Sequence, residues 1–176
     1  LENHLESLKF GFQRWPTAVH RLDRDTSGCL LLARNPKAHK RFSQAFEAGL
    51  VKKTYLAVLD GIPEASDGTV DMPLGKVSTR EAGWRIVHDP KGKSAISHWR
   101  VVATANDKAL VEFRPETGRT HQLRVHLCAI VHPIVGYTLY GGARATVRTA
   151  EDLLLLHALH LALVHPQSGQ ALEWHL

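Results

Sequence analysis

His20-Arg21-Leu22-Asp23-Arg24-Asp25-Thr26-Ser27-Gly28 places one carboxylate, Asp23, directly behind an apolar residue and between two arginines. The Asp25-Thr26-Ser27-Gly28 run is turn-forming, and Cys29-Leu30-Leu31-Leu32-Ala33 then reads as a buried strand. An aspartate in a turn commonly does no more than accept hydrogen bonds from neighbouring backbone amides, and this segment alone favours that role. Two features point beyond it. The flanking cations would keep a carboxylate ionised even where it is partly buried. A second, longer polar stretch lies downstream: Gly118-Arg119-Thr120-His121-Gln122-Leu123-Arg124-Val125-His126-Leu127.

Around these stretches the chain alternates short elements. Asn35 and Pro36 suit the N-cap and first position of a helix. Ala38, Phe42, Ala45 and Phe46 recur at helical spacing, and Gly49 can close the helix. Lys37, Lys40 and Arg41 lie off that apolar face and read as solvated surface. Lys53–Asp60 alternates as a strand, with Tyr55, Ala57 and Leu59 on one face. Residues 61–94 are rich in Gly, Pro and charge, which suits short strands or loops, with Lys76–Lys93 as an excursion from the core. Ile96–Ala103 and Ala109–Arg114 read as a hairpin across Thr104–Lys108.

After Glu116-Thr117-Gly118 a helix is expected over about Arg119–Val131, with Leu123, Leu127, Ile130 and Val131 as its apolar stripe. Arg124 falls about 100° from Leu123, at the stripe's margin, where an arginine buries its stem and presents its guanidinium to a cleft. Leu153–Val164 and Ala171–Leu176 read as two strands joined by a turn at His165–Gln170. Many strands with few helices, and no regular strand–helix alternation, indicate an α+β fold.

Taken together, the two polar stretches resemble the signatures of the RluA-type pseudouridine synthases, which rearrange uridine in RNA to its carbon-linked isomer. The first signature, His-Arg-Leu-Asp-x-x-Thr-Ser-Gly, is met at residues 20–28, and the second, Gly-Arg-Thr-His-Gln-Ile/Leu-Arg-x-His, at 118–126. Lys53-Thr54-Tyr55-Leu56-Ala57-Val58 looks like the family's Lys-x-Tyr-x-Ala element. His132–Gly136, Leu139–Gly141, Leu156–Ala158 and His165–Gly169 follow in the family's order, so the resemblance runs from Val19 onward. It implies a pseudouridine-synthase core, a mixed, largely antiparallel bent sheet with flanking helices and a central cleft, as a single catalytic domain over residues 1–176. Where the family has Gly-Asp this chain has Gly136-Tyr137, for which altered packing and retained chemistry are expected. The chain opens on Leu1 without the family's upstream strand and Asn-Lys-Pro element. The expectation is a domain lacking part of its N-terminal segment, with residues 1–15 irregular.

The resemblance assigns roles. The reaction breaks the bond from ribose to the base nitrogen and rejoins the base through a ring carbon, so it needs a carboxylate near the anomeric carbon and no cofactor. Asp23 is that group, as nucleophile or as base, two roles left open by the sequence. Asp25 occupies a variable position and reads as a turn residue. Arg124 would pair with Asp23 as a bidentate fork, with Arg119 as its rival and as a phosphate contact. Tyr55 would stack on the target base and exchange a proton with it, against the alternative of a core tyrosine. The uridine must leave its stack, and Arg21 would fill the vacated place. His20 would touch phosphate or support the loop, and Leu123 would line the base pocket or the core.

Composition sets bounds. A chain of 176 residues, 44% hydrophobic and 22% charged, suits one soluble globular domain. No apolar run approaches the roughly 20 residues of a membrane span. Cys29 and Cys128 lack metal-type spacing and read as buried free thiols, which fits a cytoplasmic location. With 22 Lys+Arg against 17 Asp+Glu the chain is mildly basic, compatible with phosphate-bearing partners, and the resemblance implies ribosomal or transfer RNA as that partner. No cation lies beyond Arg148, so the RNA-facing surface is expected from earlier segments, Lys76–Lys93 among them, and the C-terminal part reads as scaffold. The 12 histidines raise a metal reading through His121/His126, His157/His160 and the Asp23-x-Asp25 pair. A spacing of five does not stack on one helix face as a zinc-binding pair does, so no metal is expected. A monomer is expected.

Overall fold

In the computed structural model, residues 4–80, 83–129, 133–136 and 153–176 are described. From the N-terminus, one 3-10 turn (Glu6–Leu8) precedes β1 (Thr17–Ala18), β2 (Ser27–Gly28) and β3 (Leu32–Ala33). Then come α1 (Pro36–Glu47), β4 (Lys52–Asp60), β5 (Asp67–Asp71), β6 (Leu74–Thr79) and β7 (Gly83–His88). The chain continues through β8 (Ile96–Ala105), β9 (Lys108–Pro115), α2 (Gln122–Ala129), β10 (Leu156–Val164) and β11 (Ala171–His175).

The main sheet runs β11-β10-β4-β9-β8-β5, with β2 added along β10. Every pairing in it is antiparallel except β2 with β10. β6 and β7 form a separate hairpin, and β1 with β3 a short ribbon. The fold is therefore α+β with a mixed, mostly antiparallel sheet.

Strand alternation decides where the helices go. Tyr55, Ala57 and Leu59 of β4 join Val111, Phe113, Leu156 and, from α2, Leu123 and Leu127 in one buried cluster. Farther along the same face, Leu161 and Leu163 of β10 meet Ala45, Phe42 and Phe46 of α1. Lys53 stands opposite Leu161 in the β4–β10 register, so it shares that face. Both helices thus cover one side of the sheet, and the gap between them opens over Lys53 and Tyr55. The other face carries polar cross-strand groups, Arg100 on Glu112 at 2.9 and 3.0 Å among them.

Local sequence explains α1. Asn35 Oδ1 accepts the Ala38 N–H at 2.8 Å, Pro36 takes the first position, and Gly49 leaves the helix at φ +70°.

Three boundaries differ from expectation. The strand expected at Cys29–Ala33 is split, and of its residues only Ala33 is fully buried. β2 ends at Gly28, whose φ is +109° and where a Cβ would lie 2.2 Å from the Ala158 carbonyl oxygen. Cys29 N–H then donates to that oxygen at 2.8 Å, and the chain turns away to pair β3 with β1. The β8–β9 connection is only two residues, Asn106 and Asp107, at φ +49° and +57°, the primed turn that matches strand twist. α2 starts at Gln122, three residues later than expected, and Gln122 through Leu127 are all buried. It has no polar face in that stretch. Cys29 and Cys128 are free but only half-buried. Ile130, Val131, His132, Tyr137 and Leu139–Gly141 lie outside the described residues.

Candidate active site

A cavity of about 700 Å³ opens between the helices, a size ordinary for a small-molecule site. His20, Arg21, Asp23, Tyr55, Arg119, Leu123 and Arg124 all line it. These residues come from the loop between β1 and β2, from β4, and from the segment that opens α2.

The loop is built to present Asp23. Thr26 N–H donates to the Asp23 carbonyl at 3.0 Å, closing a tight turn, and Asp25 takes φ +67°, which aspartate tolerates better than most residues. Asp25 is thereby a turn residue. The Asp23 carboxylate is held from two sides. Its Oδ2 accepts the backbone N–H of His121 at 3.0 Å, and its Oδ1 lies 3.4 Å from Arg21 Nη2. His121 immediately precedes α2, so the anion also sits at the positive end of that helix.

Arg124 is 4% exposed. Its Nη2 donates to the Arg24 carbonyl and, at 3.1 Å, to Thr26 Oγ1. The guanidinium therefore staples both sides of the Asp23 turn to α2. Thr26, a turn former in the sequence, acquires this second duty. Its signal was present, since it lies inside the first signature.

Tyr55 lies on the floor beside them. Burial, and then the Asp23 charge, push its phenol up to about 12, so it is neutral at physiological pH. Lys53 lines the same cavity and donates to the Thr117 carbonyl at 3.2 Å. Burial and the neighbouring Arg119 charge lower its ammonium pKa. Arg119 is anchored by Nε to the Ser94 carbonyl at 2.9 Å.

His20 faces inward on an apolar partner. Its ring stacks on Phe46 at 4.3 Å, and Nε2 accepts the Leu31 N–H at 2.9 Å. Burial drives its pKa down to about 4, so it is neutral at pH near 7.

Gln122 and His126 owe their burial to a structural network. Gln122 Oε1 accepts from Arg119 N–H and Thr117 Oγ1, and its Nε2 donates to Ile96 O and Ser97 Oγ. His126 Nδ1 lies 3.0 Å from the same Ser97 Oγ. Among the described residues no group of three or more His, Cys, Asp or Glu is placed to hold a metal ion. No described helix is long and apolar enough to cross a membrane.

Residues 4–129, which carry both polar stretches and β4, match the model of the RNA pseudouridylate synthase family. The chain belongs to this family. An uncharacterized RNA pseudouridine synthase of Zymomonas mobilis is 56% identical over 163 residues, covering 92% of this chain and 74% of that protein. Ribosomal large subunit pseudouridine synthase D of the same organism is 37% identical over 164 residues, covering 90% of this chain and 51% of that protein. The solved structure of human RNA pseudouridylate synthase domain containing 1 superposes with a TM-score of 0.82 at 29% identity, covering 97% of this chain and 72% of that one. The chain spans about half the length of several curated relatives it matches. The α+β core is thus that of the pseudouridine synthases, a family of isomerases that act on RNA.

Proposed function

We propose that this cavity isomerises a uridine of RNA to pseudouridine, with Asp23 as the reacting carboxylate and no cofactor. One observation carries the reading most: a carboxylate fixed by a backbone amide opens into a cavity floored by a neutral, buried phenol. The reaction is an internal rearrangement. One C–N bond breaks, one C–C bond forms, a ring carbon loses a proton and a ring nitrogen gains one, so atoms balance without a second reactant.

Asp23 faces the ribose, as a nucleophile at the anomeric carbon or as a base for the proton on the ring carbon beside it. Tyr55 offers its ring to the flipped base. Its phenol enters protonated, and it becomes a readier proton donor once the Asp23 charge is consumed. Arg124 keeps the Asp23 turn in place from behind. Arg21, largely exposed beside Asp23, is positioned to fill the space the uridine leaves. His20, neutral and packed on Phe46, supports the loop and brings no charge to phosphate. Arg119 and Lys53 supply the cationic wall for the backbone, and Leu123 the apolar one for the base.

The name of the 37% identical relative makes large-subunit ribosomal RNA the first substrate to test, with transfer RNA as the second. Asp23→Asn is isosteric and keeps an acceptor for the His121 N–H. Pseudouridine formation on uridine-containing RNA should fall below detection in this variant while RNA affinity changes little. Normal turnover by Asp23→Asn would remove Asp23 from the mechanism.

A further inference from the structure

Trp84 stands on β7, outside the sheet that carries the cavity. Its indole nevertheless stacks on the His121 imidazole, with centroids 5.3 Å apart and planes 29° from parallel. Lys76 Nζ lies 5.2 Å from the Trp84 ring centroid. His121 is the residue whose backbone N–H holds Asp23 Oδ2. The same residue sits at φ +53°, a left-handed conformation that an L side chain keeps only where surrounding contacts hold it.

Register explains why the hairpin reaches this point. Trp84 and Ile86 lie on one face of β7, two residues apart. His121, the residue just before α2, and Val125, one turn into it, are joined by the Val125 N–H to His121 carbonyl bond of 3.0 Å. Both steps are about 6 Å, so a strand laid along the helix meets it twice. Ile86 and Val125 share one buried apolar cluster with Leu74 and Ala95, and Trp84 on His121 is the second meeting. The direction of the His121 N–H depends on the torsions around that residue, so a contact that fixes its ring also fixes the donor.

We propose that Trp84 is a positioning residue: by stacking on His121 it fixes the backbone amide that orients the Asp23 carboxylate. The β6–β7 hairpin is then part of the alignment of the reacting group as well as of the surface. This rests on the isomerase reading above, and the coupling it names can be observed without turnover.

Trp84 is 45% exposed, so replacing it leaves the core clusters intact. Trp84→Ala is expected to lower kcat about tenfold or more on a uridine-containing RNA, with KM changed less than about twofold. Trp84→Phe keeps a stacking face and should recover most of the loss. Asn tolerates positive φ without a ring to be held, so in a His121→Asn background Trp84→Ala should cost less than about twofold. Independently of activity, the His121 backbone amide resonance of isotope-labelled protein should move in Trp84→Ala and stay in Trp84→Phe. A raised KM with kcat intact, an equal loss in the His121→Asn background, or an unmoved resonance would each overturn the proposal. Should the native protein isomerise no uridine while the resonance still answers to Trp84, the functional reading falls and the coupling stands.

Discussion

Tyr55 is the side chain whose chemistry depends most on a neighbour. Burial first, and then the neighbouring Asp23 charge, disfavour its ionisation and push the phenol up to about 12. Replacing Asp23 by Asn removes the smaller of the two main causes and leaves burial, the larger one. Tyr55 in Asp23→Asn should therefore titrate below its native value and still above about 10. Spectrophotometric titration, with Tyr55→Phe subtracted to isolate it from Tyr137 and Tyr140, measures this; an unchanged pKa would mean that Asp23 carries no charge beside the ring. Arg124 is a second case of dependence. Its Nη2 alone serves both the Arg24 carbonyl and Thr26 Oγ1, and a lysine ammonium, carried on a shorter stem, falls short of that point from the same backbone position. Arg124→Lys should lose about 1.5–3 kcal/mol of turn alignment, read as roughly a ten- to hundredfold drop in kcat/KM. Thr26→Val, which removes only one acceptor, should lose less.

At the scale of elements, the parallel contact of β2 with β10 ends the loop that presents Asp23. Gly28 makes that contact possible, since a Cβ there would meet Ala158 backbone at 2.2–2.7 Å at a φ of +109°. Gly28→Ala should cost about 2–4 kcal/mol in urea unfolding, because neither side of the clash is a flexible chain end. A cost under about 0.5 kcal/mol would show that the strand yields freely. The same contact marks where local reading stops. α1 was legible because its cap, first-turn proline and apolar spacing all lie within the element. The split of Cys29–Ala33 was not, since its cause, Ala158, is remote in sequence. The start of α2 was placed three residues early for a related reason: the partners that hold Gln122, Arg124 and His126 in buried positions come from other segments. The Asn106-Asp107 turn did carry a signal, two residues that tolerate positive φ between alternating strands, but Thr104, Ala105 and Lys108 beside it read as part of the turn. The residues that line the cavity were legible through their motifs alone. The stack of Trp84 on His121 was not, because nothing in residues 61–94 announces a hairpin laid along a helix.

Among the described residues, imidazoles stand at three junctions: His20, half-buried in the Asp23 loop, His121, half-buried between hairpin and cavity, and His126, buried behind α2. Burial is the largest cause of a lowered pKa at each. The sign of the pH effect follows. Below about 6.5 the unfolded chain takes up protons that the folded one refuses, so stability present at neutral pH is lost as the pH falls, through about 4 for His20. Ion pairs such as Arg114 with Glu112, whose arginine stays largely in solvent, contribute little against this. For His20, which keeps some solvent contact, the expected loss between neutral pH and about pH 5 is about 1–2 kcal/mol. His20→Gln tests its share, because the amide oxygen can still accept the Leu31 N–H and cannot be protonated in this range. Urea midpoints near pH 7 and near pH 5 should converge in His20→Gln by about that amount relative to the native chain. An identical acid loss in the two proteins would place the titration at His121 and His126, and would leave His20 free to take a proton where it sits.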